Sequence, residues 1–448
     1  LIAAIVASLF VVAIGWPLAA ALSTLAGRGD DLPCRLGESV LLGSGLAALT
    51  LLLESLALPW SRPAAIVPPL LIAIGCAVFA RGQLRAALTW RPSLAGAVDL
   101  VTAVLVLGYA RFATLASSPE ADFVTIWGVK ARRFLTAGGI DWRFLENPFN
   151  EFAHVDYPVL VPLLFDVHSL VAGAWADRWL GLVNVLFGIA TLLLVRSFLG
   201  EEVRSPLLRA LATLAVVSCA LSPWLGLAEG ALVAYGTGGL LYLRRAVHHG
   251  VPADALRGAI YLGLGAACKN EGLTLIVAAG LAFLAAGAWR LARHLWPAPA
   301  IALPWLLLRS LHGLHTDLAS GGISSRLRDH LAHAGTILTA MLQYSLGRPL
   351  FWIGILLALA LGARDLVRRE RFLALALLIQ LLFFISAYLV TPHDVTWHVR
   401  WSWERIVSQL TTALTFLAVV VAARSLAAEQ DPPRQPEPGG SVTTASGI

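Results

Sequence analysis

Lysine is nearly missing from this chain. It occurs only as Lys130 and Lys269 in 448 residues, and every other basic side chain is arginine. Charge of either sign is scarce, at 13% Asp, Glu, Lys and Arg, where soluble domains carry about 25%. With 58% hydrophobic residues and a mean hydropathy of +0.76, a water-soluble fold could not hide its apolar surface. The four cysteines (Cys34, Cys76, Cys219, Cys268) form no CxxC pair, which excludes a disulfide framework and a cysteine zinc site. No run of basic residues marks a nucleic-acid partner, and the net charge of +6 reads through membrane topology instead. No period of 20–50 residues repeats, and no inverted repeat of the transporter kind is visible.

What is present is a succession of Leu-, Ala- and Gly-rich stretches separated by short polar loops. Each approaches the length that crosses a hydrocarbon core of roughly 30 Å as a helix, and none alternates as a barrel strand does. The expected fold is an all-α polytopic membrane protein of about 13 spans. They fall at 2–22, 36–58, 64–80, 97–117, 178–198, 206–222, 227–243, 256–268, 272–289, 296–309, 349–363, 371–390 and 405–423. Residues 1–96 then form an N-terminal group of helices, 97–424 a core, and 425–448 a Pro-, Gly-, Ser- and Thr-rich disordered tail. The first span has no basic residues before it, so it reads as a span and not as a signal peptide.

Five basic loops fix an orientation: Arg81-Arg85-Arg91, Arg196-Arg204-Arg209, Arg244-Arg245, Arg290-Arg293 and Arg364-Arg368-Arg369-Arg371. All five are cytoplasmic at once if 157–174 does not cross. That segment carries Pro158, Pro162, Asp166 and His168. Each ionisable group in a span costs about 2.5 kcal/mol or more, so a helix at the outer interface, or one that re-enters, suits it better. The long segment 118–177, the turn at Lys269, the segment 310–348 and the loop 391–404 then share the outer face, with both lysines.

Four constellations sit there. Asp122 follows an early span, with Trp127 and Lys130 three residues apart on one helical face; this is either a carboxylate and cation at a cavity or an interfacial anchor. His154-Val155-Asp156-Tyr157-Pro158 reads as an extended approach, because proline keeps the residue before it out of helix. His154 and Asp156 then point to one side, toward a metal, an acceptor hydroxyl or water. Lys269-Asn270-Glu271-Gly272 interrupts an apolar run, where a Lys–Glu pair is expensive unless it lines a polar cavity. The stretch 391–405 packs His393, His398, Arg400 and Arg405 among three tryptophans. An arginine there could grip a phosphate, or the stretch could be an aromatic belt.

In their order, these motifs resemble the GT-C superfamily of membrane glycosyltransferases, near the protein mannosyltransferase and aminoarabinose transferase branch and a bacterial subgroup similar to glycosyltransferase family 39. The matching elements are Asp122 with Trp127 and Lys130, His154 to Pro158 (with Val155 in place of proline), Lys269 to Gly272, and His398, Ser402 and Arg405. The likeness covers roughly 97–423. It implies a GT-C-like bundle with interfacial helices in its outer loops, in the plasma (inner) membrane of a bacterium. It implies transfer of a sugar from a polyprenyl-phosphate donor at the extracytoplasmic face, with inversion. Carried onto this chain, it makes Asp122 the candidate catalytic acid/base or metal ligand, with Asp156 and His154 second. Lys269, Arg405, Arg400 and His398 would meet the donor phosphate. Trp127, Lys130, Tyr157, Asn270 and Glu271 would wall the cleft. A divalent metal such as Mg or Mn is one option for these acids, though no first-row spacing such as HExxH is present. The implied partners are a polyprenyl-phosphate-linked sugar and the lipid bilayer. Two other readings stand beside this one: a transporter or flippase of a lipid-linked or amphiphilic substrate, and an inactive GT-C-like scaffold.

Overall fold

The computed structural model describes residues 1–85, 93–115, 120–316 and 322–430. Arg91, residues 118–119 and the tail beyond 430 lie outside these described residues.

The described chain is all-helical. The helices are α1 (Ile2–Ala26), α2 (Leu32–Glu54), α3 (Arg62–Phe79), α4 (Leu94–Leu115), α5 (Gly128–Ala137), α6 (Trp142–Leu145), α7 (Leu160–Ala172) and α8 (Asp177–Glu202). Then come α9 (Pro206–Ala220), α10 (Glu229–His249), α11 (Pro252–Ala266), α12 (Asn270–Ala285) and α13 (Pro297–Leu311). The last are α14 (Ile323–Ala332), α15 (Ala334–Ser345), α16 (Pro349–Leu361), α17 (Ala363–Arg368), α18 (Arg371–Leu389) and α19 (Val395–Gln430). The starts follow local chemistry. Asp31 caps α2 and Ser205 caps α9 through their side-chain oxygens, and proline occupies the first turn of α2, α3, α9, α11, α13 and α16, where its missing N–H costs nothing.

A helix stands at every expected span. Seven (α1, α2, α3, α4, α8, α18 and α19) are long and apolar enough to cross a membrane, or eight if the pair α15 and α16, bent by 99°, is one broken span. The finer count of about 13 goes beyond what length and composition carry. Two expectations change. The loop at 391–404 is mostly helix, because the Asp394 carboxylate accepts from the Trp397 N–H at 2.7 Å and starts α19 ten residues before Arg405. Segment 157–174 does not lie on a surface. Helix α7 is buried on nearly every side and packs against α1, α2, α3, α5 and α8, so its polar residues are hidden in protein.

The helix ends sort into two sets. At one end the loops of arginines meet acids from other helices and from the α1–α2 loop. Arg244 grips Glu370 at 2.6 and 2.7 Å and Glu202 at 2.7 Å. Arg424 joins the same two acids. Arg245 bridges Glu201 and Asp254 at 2.8 and 2.9 Å, and Arg28 reaches Asp254 at 2.5 Å. Arg257 pairs with Asp30 at 3.2 Å and Glu38 at 3.5 Å. These contacts tie α1, α2, α8, α10, α11, α18 and α19 together at one level. Buried pairs of this kind add little net stability, but breaking one costs about 3–5 kcal/mol, so they hold this end in a single arrangement.

Helices α1 and α2 cross almost backbone on backbone. A Cβ on Gly43 would sit 1.9 Å from the Val11 carbonyl oxygen, and one on Gly15 would sit 1.8 Å from that of Ser39. Such a contact has no room to relax. Gly43→Val is therefore expected to destabilise the purified protein by about 1–3 kcal/mol or more, read as a lower melting temperature. Gly108→Val, where a Cβ would meet nothing within 4 Å, should leave it unchanged; equal losses in both variants would contradict this crossing.

Candidate functional site

The opposite end holds a chain of alternating charges. It begins at Asp122, which stands directly before a turn of π-helix over Phe123–Trp127, a widened turn of the sort that often marks functional positions. Phe123 anchors that turn. Its ring packs edge-on to Phe165 at 5.6 Å and is gripped by two glycines: a Cβ on Gly226 or Gly128 would come within 2.4 or 2.6 Å of the ring. Gly226 also needs its left-handed backbone (φ +78), which other residues resist.

From Asp122 the chain runs inward. Arg405 donates to the Asp122 carboxylate and lies 3.0 Å from Glu229. Lys269 bonds Glu229 at 3.0 Å and Glu271 at 2.7 Å. Asp122, on the first long loop, therefore reaches the start of α10, the α11–α12 turn and α19 through two cations. Asp122 is the outermost member, with 31% of its side chain exposed, while Glu229 retains 1%. The Lys269 turn is no water-exposed hairpin tip. It is tightly folded, because a Cβ on Gly272 would lie 2.4 Å from the Gly265 carbonyl oxygen; only glycine lets α12 begin against α11 with Lys269 buried.

Asp156 adjoins this chain through Asn270, which donates to its carboxylate at 2.9 Å. Arg309 lies 4.0 Å from the same carboxylate and donates to Asn270 at 3.4 Å, and Trp305 donates to the Asp156 carbonyl at 3.2 Å. Burial raises the Asp156 carboxyl above its ordinary range, and Asn270, Lys130, His154 and Arg309 pull it partly back. A carboxylate so placed is a better proton acceptor than one in water.

Several expectations need correction here. The stretch before Tyr157 is not extended: His154 ends a 3-10 turn (Pro148–Ala153) in the left-handed region at φ 45, a costly conformation for a residue with a Cβ. Its ring stacks on Tyr157 at 4.6 Å, while Asp156 turns toward Asn270. Trp127 and Lys130 do not wall an open cleft, since both are buried. Lys130 donates to the His154 carbonyl at 3.0 Å from beneath, with the Trp127 and Tyr157 rings 5.1 and 5.7 Å away. Arg400 stands outside the charge chain, exposed beside its own neighbour Trp401. His398 is near it, with Nδ1 2.9 Å from the Thr391 hydroxyl and its ring beside Tyr388. Glu229, Arg309 and Trp305 were not singled out from sequence, although an acid at the head of one apolar run and an arginine closing another were visible signals.

The acids do not converge as a metal site. Their oxygens are turned onto Arg405, Lys269 and Asn270. Among the described residues, the one trio of possible ligands within 4.8 Å of each other is Asp30, Cys34 and Glu38 at the other end, where Arg257 already holds both acids. The cations in the charge chain are Arg405 and Lys269, with Arg309 beside Asp156.

Fold and site together define an all-helical, multi-pass membrane protein with a chain of ion pairs at one end of its bundle. Comparison of the chain with protein-family models, curated proteins and solved structures finds no match.

Burial lowers the Lys130 ammonium to about 7, with Asp156 opposing the shift. The unfolded chain therefore binds the extra proton between about pH 7 and 10.5, so the penalty is full below pH 7 and stability rises with pH above it. The melting temperature of the native protein should climb between pH 7 and 9, and the Lys130→Met protein should lose that slope. An identical slope in both would contradict the buried ammonium.

Proposed function

We propose that this protein is a membrane glycosyltransferase that moves a sugar from a polyprenyl-phosphate donor to an acceptor at the outer face of the plasma membrane. The observation that carries the reading is the Asp122–Arg405–Glu229–Lys269–Glu271 chain, with Asp156 attached through Asn270. A phosphate leaving group needs cations where its charge develops, and a hydroxyl acceptor needs a base. Both are side by side here. The likeness of these motifs, in their order, to GT-C enzymes supports the same reading. The bundle of about 13 spans and the cytoplasmic placing of the arginine end belong to it.

In the resting site each cation is shared by two carboxylates. A donor phosphate replaces part of that sharing and draws Arg405 and Lys269 toward itself. Asp122, the most exposed acid, is then free to take the acceptor proton. The acceptor oxygen forms its bond to the anomeric carbon from the face opposite the phosphate. The bond from carbon to phosphate oxygen breaks, and polyprenyl phosphate leaves with the electron pair. The configuration inverts. Asp156 is the second candidate base; it and Arg309 position Asn270.

The transporter reading fares worse. Alternating access needs both ends to open, and the arginine end is tied by buried ion pairs across seven helices. An end so tied favours chemistry at the other.

Asp122→Asn should lower sugar transfer from a lipid-linked donor by about 100-fold or more, with an unchanged melting temperature. The check is release of polyprenyl phosphate from a radiolabelled donor by the protein in nanodiscs. Full activity in a folded Asp122→Asn protein would sink the assignment of the base.

A further inference from the structure

Helix α12 begins beside Asp156, at Asn270, and runs away from the charge chain to the arginine end of the bundle. There the chain turns through a 3-10 segment, Trp289–Leu295, into α13. Side chains three apart on such a segment eclipse one another, so its faces differ. Leu291 and Leu295 pack against the core. Arg290, Arg293 and Trp296 follow one another at that spacing, and all three are exposed.

These two arginines differ from Arg244, Arg245 and Arg257, which are buried and bound by acids. Among the described residues, no acid pairs with either. Arg290 lies 5.2 Å from the Trp289 ring, and Arg293 uses only its Nε, on the His294 ring at 3.2 Å. Offset by about 6 Å along the segment, their guanidiniums can straddle one phosphate. Beside Arg290 is an open-sided hollow of about 330 Å³. Trp289, Arg290 and Leu291 bound it on one side, and the end of α10, at Val247 and Gly250, bounds it on the other. The last carbonyls of α10 have no partner within their helix, so this wall suits a hydroxyl donor. Apolar stripes lead to the segment from both flanking helices. Val277, Leu281 and Leu284 lie four and three residues apart on α12, and Leu303 and Leu307 four apart on α13; each is about half exposed. Spacing of this kind puts each set on one helical face. Trp289 and Trp296, both 64% exposed, flank the arginines where a membrane surface would place tryptophan. A soluble phosphate would engage the arginines alone, whereas a phospholipid engages the arginines, the hollow and the stripes together.

We propose that the turn from α12 to α13 binds one anionic phospholipid. Its phosphate sits on Arg290 and Arg293, its headgroup occupies the hollow against the end of α10, and its acyl chains follow α12 and α13 into the bilayer. The site lies at the opposite end of the bundle from Arg405 and stands without the glycosyl-transfer reading.

The test titrates phosphatidylglycerol and phosphatidylcholine into the full chain in detergent and counts single-lipid adducts by native mass spectrometry. Phosphatidylglycerol is expected to bind about 10-fold or more tighter than phosphatidylcholine. The Arg290→Gln/Arg293→Gln protein should lose that preference. The Arg364→Gln/Arg368→Gln protein, which gives up two exposed charges at the same end, should keep it. An excess of sn-glycerol 3-phosphate should leave the lipid adduct in place. Four results overturn the proposal: equal binding of the two lipids, a preference that survives in an Arg290→Gln/Arg293→Gln protein of native melting temperature, an equal loss in the Arg364→Gln/Arg368→Gln protein, or displacement by glycerol phosphate, which would make the site one for a soluble phosphate.

Discussion

Arg405 holds the site together. Its guanidinium is shared by Asp122 on the first long loop and Glu229 at the head of α10, and Glu229 in turn holds Lys269. Remove Arg405 and two buried or half-buried acids are left without their common partner, next to a lysine that cannot satisfy both. An arginine suits this place better than a lysine, because its planar fork reaches two carboxylates at once and stays charged when water is withdrawn. In the proposed reaction the same property would let it exchange a carboxylate for a phosphate without losing its own charge.

The two ends of the bundle use the same residue types for different purposes. At the arginine end, Arg244 is buried with acids on several sides and its pairs close on themselves. At the other end the chain finishes on a part-exposed Asp122. Tight backbone contacts serve both ends, Gly43 in the α1–α2 crossing and Gly272 under the lysine turn.

The sequence made the helices and the sorting of their ends legible, because apolar runs and basic loops are one-dimensional signals. It also located Asp122, Asp156, Lys269 and Arg405, since ionisable residues in an apolar chain are few and each needs a reason. It did not show which acid faces which cation. Glu229 and Glu370 are far along the chain from Arg405 and Arg244, and only the packing of helices brings them together. Lys130 misled for a related reason. Its spacing from Trp127 is right for a shared helical face, but periodicity does not say whether that face meets water or protein. His154 misled because its left-handed backbone goes with the Lys130 bond and the Tyr157 stack, and a local pattern does not contain the Lys130 bond.

If this protein is the proposed glycosyltransferase, Arg405 and Lys269 seat the phosphate of a polyprenyl lipid. Native mass spectrometry of the protein released from nanodiscs with polyprenyl phosphate and the matching polyprenol tests it most directly. The phosphate lipid is expected to stay bound, polyprenol should not displace it, and Arg405→Gln should lose it while Arg400→Gln keeps it. Equal retention of polyprenol, or undiminished phosphate lipid on a folded Arg405→Gln protein, would rule out this phosphate seat.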